Sequence, residues 1–289
     1  MTIKPRRSVL YMPGANGRAL EKAKTIAADS LILDLEDSVA PDAQETARAN
    51  VAQAVKTSGY GNRELVIRIN GLETPWGPDD LKMAAGANPH AVLVPKIKTP
   101  DDVVHAQKLL AQFGAVHHVQ LWVMIENPLS IFNIQSIAAA RETTSLTCLV
   151  LGTNDLIKET RATAAQGRFA LLPWLSMTVL AARAYGLDVV DGVYNDFKNE
   201  AGFRTECEQG RDLGMDGKTL IHPSQVATCN EVFSPATEEI AWSRRVIENF
   251  ALPENASKGV ITIDGRTVER LHLAMAERVV AISEAIAHA

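Results

Sequence analysis

Eight short apolar runs recur along this chain, each followed by a polar turn and a stretch long enough for a helix. They are Ser8–Met12, Ser30–Leu35, Leu65–Ile69, Ala91–Val94, Leu121–Ile125, Thr147–Leu151, Leu187–Val190 and Lys218–Ile221. The runs are continuous rather than alternating, the pattern of parallel strands covered on both faces. Between them, Leu20–Ala28, Glu45–Lys56, Asp101–Phe113 and Pro173–Tyr185 carry Leu, Ile, Val and Ala at helical spacing. Eight such units in succession predict an α/β fold, a (β/α)8 TIM barrel. A doubly wound open sheet is the alternative. The rhythm stops near residue 233, so residues 1–233 are assigned to the barrel and 234–289 to a C-terminal helical extension. In the extension, Ser234-Pro235 reads as a helix start running to Ala251, and Leu252–Gly259 as a loop. Val260–Ile263 reads as a strand, Asp264-Gly265 as a turn, and Thr267–Ala287 as an amphipathic helix. The extension could close the barrel or reach a neighbouring subunit.

Charge narrows the function. The 289 residues include 29 Lys and Arg against 34 Asp and Glu, a net charge of −5. That makes the chain a poor candidate for sequence-independent binding to a phosphate backbone, which needs a basic face, but leaves room for a small anionic substrate. Cys148, Cys207 and Cys229 are odd in number and widely spaced, without metal or redox spacing, and read as idle thiols. The amino-terminal residues show no signal-peptide pattern, and no apolar stretch reaches the ~18 residues of a membrane span. A cytoplasmic protein is expected.

Polar residues gather where the apolar runs end. Tyr11 and Pro13-Gly14 close the first, Asp34, Glu36 and Asp37 the second, and Arg68 and Asn70 the third. Pro95-Lys96, Glu126-Asn127, Gly152–Asp155, Asp191 and His222-Pro223 close the rest. In a barrel these carboxyl ends converge on one face, where active sites are built. Glu126 and Asp155 would sit on adjacent strands. Paired carboxylates there cost free energy unless a cation joins them, and oxygen-only ligands favour Mg²⁺ with several waters. The competing reading is that each caps the following helix. Asp34, Glu36 and Asp37 could orient metal-bound water, or form a solvated turn. Arg68 lies inside an apolar strand and needs a partner, either a substrate carboxylate or enolate or one of the barrel carboxylates. Arg18 and Lys22, spaced i, i+4 after a Gly-containing turn, could hold phosphates or simply be solvated. His222 is a base or a turn residue, and His117-His118 are expected at the surface.

In order along the chain come Arg7–Gly14, Leu33–Val39, Arg68–Gly71, Pro95-Lys96, Ile125–Pro128 and Gly152–Leu156. Gly192–Phe197, Gly217–Pro223 and Phe233–Pro235 follow. With this ordered set the chain resembles the citrate lyase beta-subunit-like CoA-ester lyases, the group of malyl-CoA and citramalyl-CoA lyases. The resemblance implies a (β/α)8 barrel with Mg²⁺ on Glu126 and Asp155, and a CoA-thioester substrate. Arg68 would bind the substrate's carboxylate and carbonyl side. Tyr11, Arg18, Lys22, Ile221 and His222 fall where the family contacts substrate or CoA. The family's trimers or hexamers, in which the C-terminal segment reaches a neighbour's site, are implied as well. The lyases carry an Asp in a Gly-x-Met-Ile/Val-Asp pattern as catalytic acid/base; here Gly265–His272 puts Glu269 in its place. The Val-Glu-x-Leu-His form is similar to a branch that hydrolyses (S)-malyl-CoA. The activity expected first is Mg²⁺-dependent C–C cleavage of a 2-hydroxy-dicarboxyl-CoA to acetyl-CoA and a 2-oxo acid. The thioesterase giving malate and CoA is the alternative, a non-catalytic CoA-thioester-binding protein a second, and an aldolase of free 2-oxo acids a third.

Overall fold

The computed structural model describes residues 4–57, 59–115, 118–164 and 166–288. His117 lies outside them, and His118 is exposed. Two compact units are present among the described residues, Arg6–Glu231 and one that joins Lys4 and Pro5 to residues 232–288.

In the first unit the strands are β1 (Ser8–Pro13), β2 (Ser30–Asp34), β3 (Glu64–Arg68), β4 (Ala91–Val94), β5 (Gln120–Ile125), β6 (Leu146–Leu151), β7 (Asp188–Asp191) and β8 (Gly217–Leu220). All pair in parallel in chain order, and β8 returns to β1 through Ser8 opposite Lys218 and Leu10 opposite Leu220. That last pairing closes the barrel and excludes the open sheet. The outer helices are α1 (Gly17–Ala23), α2 (Gln44–Thr57), α3 (Gly77–Ala87), α4 (Pro100–Gln112), α5 (Pro128–Phe132), α6 (Ile134–Ala139), α7 (Thr153–Thr160), α8 (Leu172–Ala184), α9 (Glu200–Asp212) and α10 (Val226–Val232). The predicted helices α2, α4 and α8 agree to within a residue at each end. Only α1 departs. It opens at Gly17 on an Asn16 cap and stops at Ala23, where Thr25 turns back with its hydroxyl on the Lys22 carbonyl.

The barrel interior follows from strand periodicity. Val9, Ile32, Val66, Leu93, Trp122, Met124, Cys148, Val150 and Val190 pack as one buried cluster. At the amino-terminal end Arg6 closes the barrel. Its Nε and Nη2 each donate to Glu64 at 2.8 Å, its Nη1 pairs with Asp188, and its guanidinium lies 4.7 Å from the Trp122 ring. An Arg so deeply buried is tolerated because its charge is matched and its donors are used. Cys148, Cys207 and Cys229 are free and buried, as expected of idle thiols.

The second unit holds α11 (Thr237–Ala251), β9 (Val260–Ile263), β10 (Arg266–Glu269) and α12 (Arg270–Ala287). Its core is Val246, Phe250, Ile261, Ile263, Val268 and Ala276. Two predicted boundaries are corrected here. Helix α11 starts at Thr237 after Ala236, which is extended at φ −68° and ψ 151°, so Ser234-Pro235 does not open it. Thr267–Glu269 is strand rather than helix. Asp264 and Gly265 both have positive φ, 48° and 77°, the geometry of a two-residue hairpin turn. The turn drives Arg266–Glu269 back along β9, with Thr267 opposite Thr262 and Val268 opposite Ile261. Among the described residues no helix is long and apolar enough to cross a membrane.

Candidate active site

Successive side chains on a strand alternate between its faces, so residues two apart share one. Val9, Ile32, Val66 and Met124 face the barrel interior. Two residues further on stand Tyr11, Asp34, Arg68 and Glu126. The polar layer is therefore the next interior layer above the apolar one, at the strands' carboxyl ends. All four line a cavity of about 260 Å³, joined by Asp37, Asp155, Asn154, Asn195 and Ile221.

Strand register places Arg68 directly opposite Asp34. Arg68 Nε donates to Asp34 Oδ1 at 2.6 Å and Nη2 to Oδ2 at 2.8 Å, a fork-to-fork pair. Of the partners the sequence left open for Arg68, a barrel carboxylate is the one it holds here. Burial alone would raise the Asp34 carboxyl. The Arg68 charge and hydrogen bonds outweigh burial and hold it below the usual carboxylate range. The remaining corner, Nη1, lies 3.2 Å from Asp37 Oδ2 and 2.9 Å from Glu36 Oε2. The Glu36 contact is a charge contact without hydrogen-bond alignment, since Oε2 has no hydrogen-bond partner. Burial pushes Glu36 up to about 8 against the pull of Arg68. The face of Arg68 covers the Tyr11 ring at 4.7 Å. Glu36 and Asp37 thus sit around Arg68, Glu36 half-buried and Asp37 exposed.

Glu126 follows β5, and Asp155 lies in the first turn of α7. Neither caps a helix: Asn127 caps α5 and Gly152 precedes α7. Their side chains are instead gathered by Lys96, just after β4. The Lys96 backbone N–H donates to Glu126 Oε1 at 2.6 Å, and its Nζ donates to Asp155 Oδ2 at 2.9 Å. Lys96 Nζ also lies 3.5 Å from both Glu126 Oε1 and Glu36 Oε1. Buried Glu126 Oε2 has no hydrogen-bond partner. Burial pushes the Glu126 carboxyl up to about 7, against Lys96. For Asp155 burial is again the largest influence, but the bond and charge from Lys96 prevail and keep it below the usual value. Gly152 matters here for its lack of a side chain. A Cβ on it would stand 2.4 Å from Glu126 Cβ and 2.9 Å from Oε2.

Among the described residues no three His, Cys, Asp or Glu side chains form a ready-made metal cage. Two carboxylates suffice for a hard cation that keeps several waters, as Mg²⁺ does, and the unpartnered Oε2 of Glu126 is a donor suited to it.

The sequence puts Lys96, Asn154 and Asn195 in the polar strand-end motifs but assigns none of them a role. For Lys96 the role lies in its neighbours rather than in itself. The amides of Asn154 and Asn195 bond each other at 2.8 and 3.3 Å and tie the turns after β6 and β7 together. Arg18 and Lys22 are exposed on α1, directly after β1. Ile221 is exposed at the cavity. The His222 ring stacks on Phe197 at 4.4 Å, and its Nδ1 accepts from the Ser224 N–H at 3.2 Å. That nitrogen serves a turn, not a base. Glu269 belongs to the second unit, where it is exposed at the end of β10 and caps α12 with His272.

Residues 7–223 match the HpcH/HpaI aldolase/citrate lyase family. Over 283 residues the chain is 46% identical to a (3S)-malyl-CoA thioesterase of Cereibacter sphaeroides, covering 98% of this chain and 96% of that one. It is 34% identical over 307 residues to an L-malyl-CoA/beta-methylmalyl-CoA lyase of the same species, with the same coverage. The structure of CitE from Mycobacterium tuberculosis in complex with magnesium, acetoacetate and coenzyme A superposes with a TM-score of 0.75 at 26% identity, covering 97% of this chain and 98% of that one. The chain, a closed eight-stranded parallel barrel with its polar layer at the carboxyl ends, belongs by these matches to the HpcH/HpaI aldolase/citrate lyase family.

Proposed function

We propose that the chain is a Mg²⁺-dependent thioesterase that hydrolyses (3S)-malyl-CoA to malate and CoA. The observation that carries the choice is the 46% identity, across nearly the whole of both chains, to a protein of that activity. The C–C lyase, the activity expected first from the sequence, becomes the second reading, supported by the lyase relative at 34%. The same carboxylates and Arg68 could serve either reaction.

Glu126 and Asp155 would hold the ion, with Glu36 and Lys96 around them. When bound, Mg²⁺ polarises the substrate oxygens it touches. Arg68, fixed by Asp34, would present Nη1 to the oxygen that gains charge as the thioester carbonyl is attacked. A fork already gripped at two corners reorganises little during reaction. Glu269, supplied by a neighbouring subunit of a homotrimer or homohexamer, would take a proton from the attacking water. The new C–O bond forms, the C–S bond breaks, and the CoA sulfur leaves with the pair and a proton. No His or Cys lines the cavity among the described residues, and the Ser38 hydroxyl donates to Asp34 at 2.6 Å. Direct attack by water therefore fits better than an acyl-enzyme. Arg18, Lys22, Ile221 and His222 would meet the CoA moiety. Buried free thiols agree with a reducing, cytoplasmic setting.

The test is to incubate the purified protein with (3S)-malyl-CoA and Mg²⁺ and follow malate, glyoxylate and free CoA together. Malate and CoA without glyoxylate are expected. Glyoxylate with acetyl-CoA would replace this reading by the lyase, and binding with neither product would leave a CoA-thioester-binding protein.

A further inference from the structure

Lys96 grips the acidic cluster with both ends. Its backbone N–H holds Glu126, and its ammonium reaches Asp155 while facing Glu126 and Glu36, so carboxylates following three different strands surround one positive charge. To do so the residue adopts φ 59°, the left-handed region that a Lys seldom enters. Such a conformation is unfavourable on its own and persists where surrounding structure requires it. The side chain is nonetheless not locked away. It is one-third exposed, and it lines a second cavity of about 270 Å³ with Glu73, Asp102 and His105. A long flexible stem thus stands between two acidic surroundings.

We propose that Lys96 is an exchangeable counter-ion of the metal site. Its ammonium balances Glu36, Glu126 and Asp155 when no divalent cation is bound. It yields to the cation by swinging toward Glu73 and Asp102, while its backbone N–H keeps Glu126 in place. This rests on the Mg²⁺ reading of Glu126 and Asp155. The physical ground is that one set of oxygens cannot be the nearest partners of both an ammonium and a divalent ion without strong like-charge repulsion. Whatever fraction of molecules has the ammonium seated there lowers the apparent metal affinity by that fraction.

Calorimetric titration of Mg²⁺ and Mn²⁺ into the substrate-free protein tests this without any turnover assay. Lys96→Met keeps the stem and removes the charge, and is expected to bind either metal about ten-fold more tightly than wild type. Lys96→Arg keeps a charge that grips carboxylates in two places, and is expected to bind no more tightly than wild type. If Lys96→Met misfolds, Lys96→Gln takes its place with the same expectation. Unchanged or weaker binding by the uncharged variants, with wild type still binding, overturns the counter-ion role and leaves the metal site standing. Binding by neither wild type nor the uncharged variants overturns the metal reading itself.

Discussion

Arg68 illustrates how much one position carries. Its pair with Asp34 is buried on both sides, so removing either partner leaves an uncompensated charge. Arg68→Ala should lower stability by about 3–5 kcal/mol in urea unfolding. Arg68→Lys keeps the charge but not the fork, since a single ammonium cannot hold both Asp34 oxygens and still offer a third donor. It should keep most of the stability and lose about 100-fold or more in kcat, measured by CoA release. Gly152 acts by what it lacks. Any Cβ there meets Glu126 at contact distances no side chain tolerates, so Gly152→Ala must push the Glu126 carboxylate aside. A Mg²⁺ affinity weaker by about ten-fold or more in titration is expected, the effect typical of disturbing a ligand's support.

At the scale of elements, the end of β7 and the start of β8 are joined by buried charges that also anchor the turn after β7. Asp191 accepts from Arg168 Nη1 at 2.8 and 2.9 Å and from Lys218 Nζ at 3.0 Å, while Lys218 also pairs with Glu206 at 2.7 Å. Burial opposes the ionised Asp191 carboxyl, but the two cations prevail and hold it below its ordinary value. A carboxyl lower in the folded than in the unfolded chain stabilises fully above the unfolded value, near pH 4, and loses that contribution as pH falls through the folded one. The wild type should therefore lose stability steeply below about pH 4. Asp191→Asn should be weaker at pH 7 yet show a flatter acid limb in urea midpoints between pH 7 and 3. Elements of this kind were readable in part. The strands announced themselves because a parallel barrel buries both faces, giving continuous apolar runs. Hairpin strand β10 did not, because Thr-Val-Glu-Arg-Leu continues into the helical spacing of α12, and only the Asp-Gly turn before it separates the two. The acidic ends of β2, β5 and β6 were legible as site residues from position alone. Position put Lys96 at the same end, but its role was not legible, since that depends on a positive φ and on three carboxylates distant in sequence.

At the scale of the whole barrel, the two ends solve opposite problems with the same materials. At the amino-terminal end Arg6 meets Glu64 in a matched pair, and the end is closed. The other end leaves charge unmatched: Glu36 and Glu126 each keep a buried oxygen without a hydrogen-bond partner, and burial raises both carboxyls. An end built for stability would not do this, whereas an end built to receive a cation has to. The two ends should then respond in opposite senses to loss of charge. Arg6→Met strands Glu64 and should destabilise by about 3–5 kcal/mol while leaving Mg²⁺ affinity within two-fold or so. Glu126→Gln removes a poorly solvated charge and keeps the shape, so the metal-free protein should melt at the wild-type temperature or a few degrees above it. It should also lose the upward shift in Tm that saturating Mg²⁺ gives wild type, which at 100 times Kd corresponds to about 2.7 kcal/mol. Melting curves of both variants without Mg²⁺ and with Mg²⁺ raised until the wild-type Tm stops moving decide it. A Glu126→Gln protein that melts well below wild type without metal would mean that the carboxylate holds the barrel together rather than awaiting an ion.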